Sequence, residues 1–422
     1  MIHIKTARKV YILGIRNDAQ KIIESANSAA LPDTAVKRAL QEWDLSDGRL
    51  LLVSIGKAAW SMAKAAYDVL GNSIDSGVVI TKYGHSKGSI PFLKIFEAGH
   101  PVPDNNSFAA TEEAIKLVSG LSSKDKVLFL ISGGGSALFE KPLISKTDLE
   151  DITNSLLASG ADIVEINTIR KRLSAVKGGK FAKLCEPAQV FSIILSDIIG
   201  DPMDMIASGP AYPDNSTGDQ ALAIIKKYNI KVSERVRELL IIEPSRNITN
   251  VNTLITGSVT QLCKAAEKTC IELGYEPIIL TSSLCCEARE AGSFLASIAQ
   301  YHSKTNKSLA FIAGGETIVH VKGKGKGGRN QELALSSAIG IAGLKNTAIF
   351  SIGSDGTDGP TDAAGGYVDG QTKYILDGKG ISIFDVLENN DAYNALKECN
   401  GLIITGPTGT NVNDLSVLLI KR

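Results

Sequence analysis

Several loops in this chain combine glycine, hydroxyl and charged residues as phosphate and metal chemistry requires. In Ser132-Gly133-Gly134-Gly135-Ser136, three glycines let backbone amides converge on one oxyanion, and the flanking hydroxyls add donors. Ile55-Gly56-Lys57 puts a lysine in the first turn of an expected helix. The helix dipole disfavours a cation there unless an anion is also present. The segment does not match the GxxxxGK[ST] phosphate loop. Ser196-Asp197 and Gly200-Asp201 offer two carboxylates that could hold Mg²⁺ through water or accept a hydroxyl proton, and Ala207-Ser208-Gly209-Pro210 follows. Gly314-Gly315-Glu316-Thr317 leads, by an expected short hairpin, into a lysine- and glycine-rich stretch ending at Arg329. Gly323, Gly325 and Gly328 fit GxGxxG, a weak signal alone. The basic residues around Gly325, Gly327 and Gly328 suit closure over phosphates, with Arg329 stabilising a transferring phosphoryl group. Gly353 to Asp362 carries Asp355, Asp358 and Asp362 among glycines. The EF-hand spacing is missing, so a Mg²⁺–phosphate loop fits better. The amides and carboxylate of Thr405 to Asp414 could fix a small polar substrate, with Asn411 as a candidate. His100, in Gly99-His100-Pro101-Val102-Pro103-Asp104, reads equally well as structural or catalytic. Each loop alone also has an ordinary reading as a turn, a cap or a solvated surface.

The elements that must position these loops are apolar runs alternating with helical stretches. Leu50–Ile55, Gly77–Thr81, Lys126–Ile131 and Val190–Leu195 read as buried strands in the first half. Thr253–Thr256, Pro277–Leu280, Leu309–Ala313 and Ala348–Ile352 follow in the second, with a last strand pair at Leu402–Thr405 and Ser416–Ile420. Asn167–Cys185 reads as one long helix with a break at Gly178-Gly179, and Asn17 to Ala30 as an early helix. The expected class is α/β: a largely parallel sheet with helices on both faces, whose ligands sit beyond the strands' carboxyl ends. The pattern lapses into Pro, Ser and Asn around Glu243–Asn250, which places the domain division at 1–245 and 246–422.

The 422 residues suit two or three α/β domains. Hydrophobic residues at 44% and charged residues at 21% exclude disordered and collagen-like classes. Forty-five basic residues balance 45 acidic ones, so no global field calls for nucleic acid. Anionic substrates must then be met by local charges. Six scattered cysteines without CxxC or zinc spacing read as reduced thiols, and a cytoplasmic location is expected. The first twenty residues do not read as a signal peptide, and no stretch is apolar enough to span a bilayer.

Eight segments in this order resemble the glycerate 2-kinase family with a C-terminal MOFRL domain. They are SIGKAAW, AGHPVPD, SGGGSAL, LSAVKGGK, SDIIGDPMDMIASGP, GGETIVHVKGKGKGGRNQELAL, GSDGTDGPTDAAG and TGPTGTNVND, and they span about Ser54 to Asp414. The resemblance implies ATP-dependent phosphorylation of D-glycerate at its 2-hydroxyl, with Mg²⁺ or another divalent cation. It implies a Rossmann-like N-terminal domain and a smaller mixed α/β MOFRL domain at about 305–420, with the active site in the cleft between. The family's key lysine and arginine fall on Lys57 and Arg329. Hydroxypyruvate reductase is a label such sequences have also borne.

Phosphoryl transfer needs positioning and charge neutralisation more than covalent chemistry. Lys57 and Arg329 are therefore expected to bind the glycerate carboxylate and the transferring phosphate. Ser132 to Ser136 and the glycines at 325, 327 and 328 are expected to cradle phosphates. Asp197, Glu316 and Asp355 are the metal candidates, with Asp197 also a candidate for orienting the attacking hydroxyl. The expected partners are D-glycerate and ATP, with neither nucleic acid nor membrane, and with a homodimer left open. An NAD(P)H-dependent hydroxypyruvate reductase would want GxGxxG in the first βα turn, but the one glycine triplet lies late in the chain. A non-catalytic sugar-acid binding protein would not need metal-suited carboxylates beside phosphate-suited loops.

Overall fold

The apolar runs form two six-stranded sheets, each in its own contact unit of the chain. The computed structural model describes residues 2–44, 48–196, 198–200 and 202–422, with side chains from residue 14 onward. One unit is Pro32–Thr256; the other joins the residues through Leu31 to Gly257–Arg422.

In the Pro32–Thr256 unit the strands are β1 (Leu50–Ile55), β2 (Ser76–Lys82), β3 (Leu93–Ala98), β4 (Lys126–Ile131), β5 (Gln189–Leu195) and β6 (Val251–Gly257). Their order is β3-β2-β1-β4-β5-β6, with parallel pairing from β3 through β5. Side chains alternate between faces. Leu51, Val53 and Ile55 enter one core with Val127, Phe129 and Ile131, while Leu50 and Leu52 join Leu128 and Leu130 in another. The order reverses direction between β1 and β4, so the loops leaving these neighbours diverge and open a crevice at their carboxyl ends. Ile55-Gly56-Lys57 and Ser132–Ser136 are those two loops.

The other unit holds β7 (Glu276–Leu284), β8 (Leu309–Gly315), β9 (Thr347–Gly353), β10 (Gly365–Asp369), β11 (Leu402–Ile403) and β12 (Asp414–Ile420). The order is β11-β10-β9-β12-β8-β7. β12 runs antiparallel between β8 and β9, so Asp414 at its start faces Gly315 and Gly353 at their ends.

Several expectations differ from the structure. The contact division falls at 256/257 rather than 245/246. The helix Ile2–Ala30 packs with the second unit, because Ile15, Ala19, Ile22, Ile23 and Ala26 share a core with Val259, Leu262, Ala266 and β12. The expected long helix over 167–185 is two helices, Ile163–Arg172 and Lys180–Leu184. The Lys180 ammonium donates to the carbonyls of Lys171, Arg172 and Ser174 and thereby ends the first. The expected last strand pair is not a pair, since β11 joins β10 while β12 enters the sheet centre. No strand hairpin follows Glu316; residues 321–328 are irregular. The short strands β3 and β10 escaped the sequence reading.

Candidate active site

In the Pro32–Thr256 unit, β1 and β4 are stitched together just past their ends. Gly56 has φ +111, and a Cβ there would lie 2.2 Å from Ser132 Oγ, so only glycine lets the chain pass. Ser132 Oγ donates to Ile55 O and accepts from Ala58 N, and Lys57 N donates to Gly133 O at 2.8 Å. On its other side the Lys57 carbonyl accepts from His85 Nδ1 and Thr81 Oγ1. The Lys57 backbone is thus fixed while its side chain lies across the glycine loop. A Cβ on Gly134 would lie 3.0 Å from the His100 ring and 3.1 Å from Lys57 Cε. Burial, reinforced by the charges of Lys57 and Lys82 and by His85, pushes the His100 pKa down, so its imidazole is neutral.

Two polar features of this loop stay unspent. Among the described residues, no carboxylate pairs with Lys57, and the amides of Gly133, Gly134, Gly135 and Ser136 find no acceptor. Four consecutive open donors beside an unpaired ammonium form a receptor for an anion. The helix that follows, Gly135–Leu138, is only four residues long, so the amides themselves rather than a long helix dipole provide the field.

The loop is braced from behind by residues to which sequence reasoning assigned no such role. The Ser136 carbonyl accepts from Lys177 Nζ at 2.8 Å and from Arg170 Nη2 at 3.1 Å. Lys177 is fully buried against the equally buried Glu140 at 3.3 Å, and burial lowers its pKa to about 8 despite that partner. Ser136 Oγ shares a hydrogen bond of 2.9 Å with Ser208 Oγ, and Ser208 donates on to Asn167 Oδ1. Ala207, Ser208 and Gly209 have φ of 53°, 61° and 60°, three left-handed residues in succession. Two of them carry side chains, which stores on the order of 1–2 kcal/mol each. The Gly178 and Gly179 amides hold this turn by donating to Ser208 O and Gly209 O. The signal in the sequence was the run of basic residues from Arg170 to Lys180, within the segment read as one long helix. Asp197 and Asp201 lie outside the described residues.

In the second unit the β8, β9 and β12 ends gather charge around Arg329. Arg329 opens the helix Arg329–Gly340 and grips Asp414 with two nitrogens, Nε to Oδ2 at 2.6 Å and Nη2 to Oδ1 at 3.0 Å. Its Nη1 donates to Glu316 Oε1 at 2.9 Å. Burial works against the guanidinium charge, but Asp414 and Glu316 more than offset it, and the Arg329 pKa rises. Burial also pushes the Asp414 carboxyl up, with Arg329 pulling it back. The helix start carries no cap of its own at Gly328. Asp358 supplies one from the β9 loop, accepting from the amides of Asn330 and Gln331 at 3.2 and 2.9 Å. Asp358 is buried, and burial lifts its pKa to about 6 against those hydrogen bonds. A Cβ on Gly353 would lie 3.3 Å from Asp355 Oδ1 and 3.5 Å from Asp414 Oδ1, so these two carboxylates overhang one glycine.

Of the remaining sequence candidates, Gly325 is not open. Its amide donates to Asn389 O, and the amides of 322, 323, 324 and 326 go to side chains of Asn389, Asn390 and Asp391. The basic stretch is thus clamped rather than loose, and only Gly327 and Gly328 keep amides without an acceptor among the described residues. Asn411 is exposed, whereas Asn413 is buried at φ 69° with an Nδ2 that finds no partner. Asn413 and Asp414, rather than Asn411, are the residues this loop turns inward. Of the metal candidates, Glu316 gives one oxygen to Arg329 and Asp355 gives Oδ1 to Thr357 N. The described residues contain no group of three ligands that could hold a metal. Mg²⁺ needs only one or two carboxylates alongside phosphates and water, and the second oxygens of Asp355 and Glu316 fit that lesser requirement.

Comparison with known proteins supports a single family. A profile described as a domain of unknown function, DUF4147, matches residues 18–241, and the MOFRL family profile matches 309–414. A D-glycerate 2-kinase of Thermotoga maritima is 52% identical over 95% of this chain and 97% of its own. A glycerate 2-kinase of Pyrococcus horikoshii is 40% identical over 97% of this chain and 98% of its own. The crystal structure of glycerate kinase from Thermotoga maritima matches with a TM-score of 0.92 at 51% identity, covering 96% of this chain and 99% of that one. The chain belongs to the glycerate 2-kinase family with a C-terminal MOFRL domain.

Proposed function

We propose that this protein transfers the γ-phosphoryl group of ATP to the 2-hydroxyl of D-glycerate, giving 2-phosphoglycerate and ADP. The observation that carries the reading is the Lys57 ammonium, without a carboxylate partner among the described residues, set against four acceptor-free amides at Gly133–Ser136. Such a nest neutralises a carboxylate or phosphoryl oxygen without reorganising, and preorganised donors of this kind supply most of the catalysis in phosphoryl transfer. Neutral His100 lies on the same glycine as Lys57 and can take the hydroxyl proton. Arg329, oriented by Asp414, stabilises charge on the transferring group once Glu316 gives way. Asp355 and Glu316 would hold the divalent cation, which when bound supplies charge neutralisation on phosphate oxygens.

The reductase alternative finds no support at the first βα turn, where Gly56-Lys57 stands in place of GxGxxG. The test uses purified protein with D-glycerate, ATP and Mg²⁺, reading ADP release and passing the product directly to enolase. ADP release with a product that enolase accepts is the expected outcome. A product that enolase accepts only after a mutase is added would assign the 3-hydroxyl. NADPH oxidation with hydroxypyruvate and no ADP release would replace the kinase by the reductase.

A further inference from the structure

Behind the glycine loop, within the Pro32–Thr256 unit, lies a cavity of about 600 Å³. Its walls are the helix Ile163–Arg172, the segment 204–216 and the helix Gly218–Lys227. This volume is in the range that holds a drug-sized ligand. None of the residues given a role above in binding glycerate or the transferring group lines it. We propose that this cavity receives the nucleoside end of the phosphoryl donor, with the phosphates directed toward the Gly133–Ser136 amides. The proposal rests on the kinase reading for its donor and adds where the donor is held.

The connection to the loop is short. Met205 is part of the cavity wall, and its Sδ accepts from Asn167 Nδ2 at 3.7 Å. Asn167 Oδ1 accepts from Ser208, and Ser208 Oγ meets Ser136 Oγ. One helix serves both sides. Val164, Thr168 and Lys171 recur at spacings of four and three and face the cavity, while Arg170, on the flanking face, reaches the glycine loop directly and Asn167 reaches it through Ser208. The strained left-handed turn at Ala207–Gly209 is what carries the chain from the cavity wall to Ser136. A ligand spanning both ends gives that strain a purpose.

The chemistry of the lining selects a neutral head over an anion. Two ammonium groups and three carboxylates border the cavity, so its lining is net negative. Both ammonium groups are already engaged: Lys171 with Asp204 at 3.2 Å and Asp214 at 3.8 Å, and Lys227 with Glu165. A phosphate here would meet cations already paired and a lining of net negative charge. A nucleoside instead brings a planar apolar ring for Val164, Met205 and Ile224, and sugar hydroxyls that can donate to Asp204, whose side chain keeps 43% of its surface open. Acidic side chains take ribose hydroxyls in this way in doubly wound nucleotide sites.

The probes are adenosine, which carries the head without phosphates, and inorganic triphosphate, which carries the tail without the head. Val164→Trp and Ala223→Trp would fill the cavity from two different helices at exposed positions, so neither should disturb folding, and thermal midpoints check this. Wild-type protein should bind adenosine, and both variants should bind it about tenfold or more weakly while triphosphate binding is unchanged. Photolabelling of the wild type with azidoadenosine, which needs no variant, should mark peptides within 163–172 or 204–227. Adenosine binding that survives both substitutions, a label elsewhere, or no adenosine binding by the wild type at millimolar concentration would each overturn the proposal. The glycerate assay separates the two readings. A protein that binds adenosine here but releases no ADP with glycerate loses the activity and keeps the site. One that phosphorylates glycerate with an unchanged KM for ATP in both variants keeps the activity and loses the site.

Discussion

Arg329 and Lys57 carry the same charge and are kept in opposite ways. Arg329 donates to three carboxylate oxygens, two on Asp414 and one on Glu316, and Asp355 and Asp358 lie nearby. Lys57 meets no carboxylate among the described residues; its neighbours are a neutral imidazole and a row of open amides. An arginine fork held bidentately is oriented in advance, at the cost of a counter-charge that an incoming anion must displace or share. An ammonium beside unspent amides is ready for an anion but has only its backbone to hold it in place. The Lys57 surroundings are therefore receptive to a bare anion, while the Arg329 surroundings, richer in carboxylates than in cations, suit a phosphate that arrives with a divalent cation.

The comparison breaks most visibly if Arg329 is removed. Arg329→Ala should lower turnover about a hundredfold or more, the usual cost of one preorganised transition-state donor. It should also destabilise, because the Asp414 carboxylate is left buried without its partner. Breaking a fully buried pair costs roughly 3–5 kcal/mol. Arg329 keeps 34% of its side chain in water, so about 2–3 kcal/mol is expected here. Arg329→Lys should recover part of the stability but little of the turnover, since an ammonium cannot reproduce the fork. Urea unfolding alongside kinetics reads both. An Arg329→Ala protein of unchanged stability would mean that Asp414 does not depend on the pair.

A smaller effect should appear in the pH dependence of stability. Asp358 ionises near 6 in the folded protein, above the ordinary aspartate value of 3.8. Between those values the folded state binds more protons than the unfolded one, so stability falls as pH rises from about 4 to 6, by on the order of 2 kcal/mol in total. Asp414, also pushed up by burial, adds to the same slope, while Arg329 opposes it. Asp358→Asn should flatten the slope in that window. Arg329→Ala should steepen it, because Asp414 then loses its counter-charge. Urea midpoints across pH 4 to 7 distinguish these outcomes, and an Asp358→Asn profile parallel to wild type would remove Asp358 as the cause.

Much of this was legible in the sequence for physical reasons. The runs at Leu50–Ile55 and Lys126–Ile131 are buried on both faces and so read as uninterrupted apolar strands. Their following loops, with Lys57 and Ser132–Ser136, could then be placed at strand ends. What escaped was set by contacts between distant residues. Asp414 caps no local turn and gains its role only because β12 inserts between β8 and β9. Lys177 drew no role from the sequence, because nothing local announces that Glu140 will meet it in the core. The lysines and glycines at 322–328 suggested a loose loop, yet Asn389, Asn390 and Asp391, over sixty residues away, hold its amides. Asn411 and Asn413 differ only in which way a short turn points them, and composition does not say.

The smallest stability change should come from the other member of the comparison, and it is the sharpest discriminator. Lys57→Ala removes an ammonium that pairs with no described carboxylate, so no buried charge is orphaned. Only the packing of its stem on Gly134 is lost, and stability should change by less than about 1 kcal/mol. The His100 pKa should rise, since the Lys57 charge is one of the causes holding it down, and NMR titration of the imidazole reads that directly. Inorganic phosphate should stabilise the wild type progressively with concentration, because a ligand that binds only the folded state shifts unfolding by mass action. It should stabilise Lys57→Ala much less. Should Lys57→Ala instead unfold as readily as Arg329→Ala, then Lys57 has an anionic partner in the protein itself. The anion-receptor reading of the glycine loop would fall with that result.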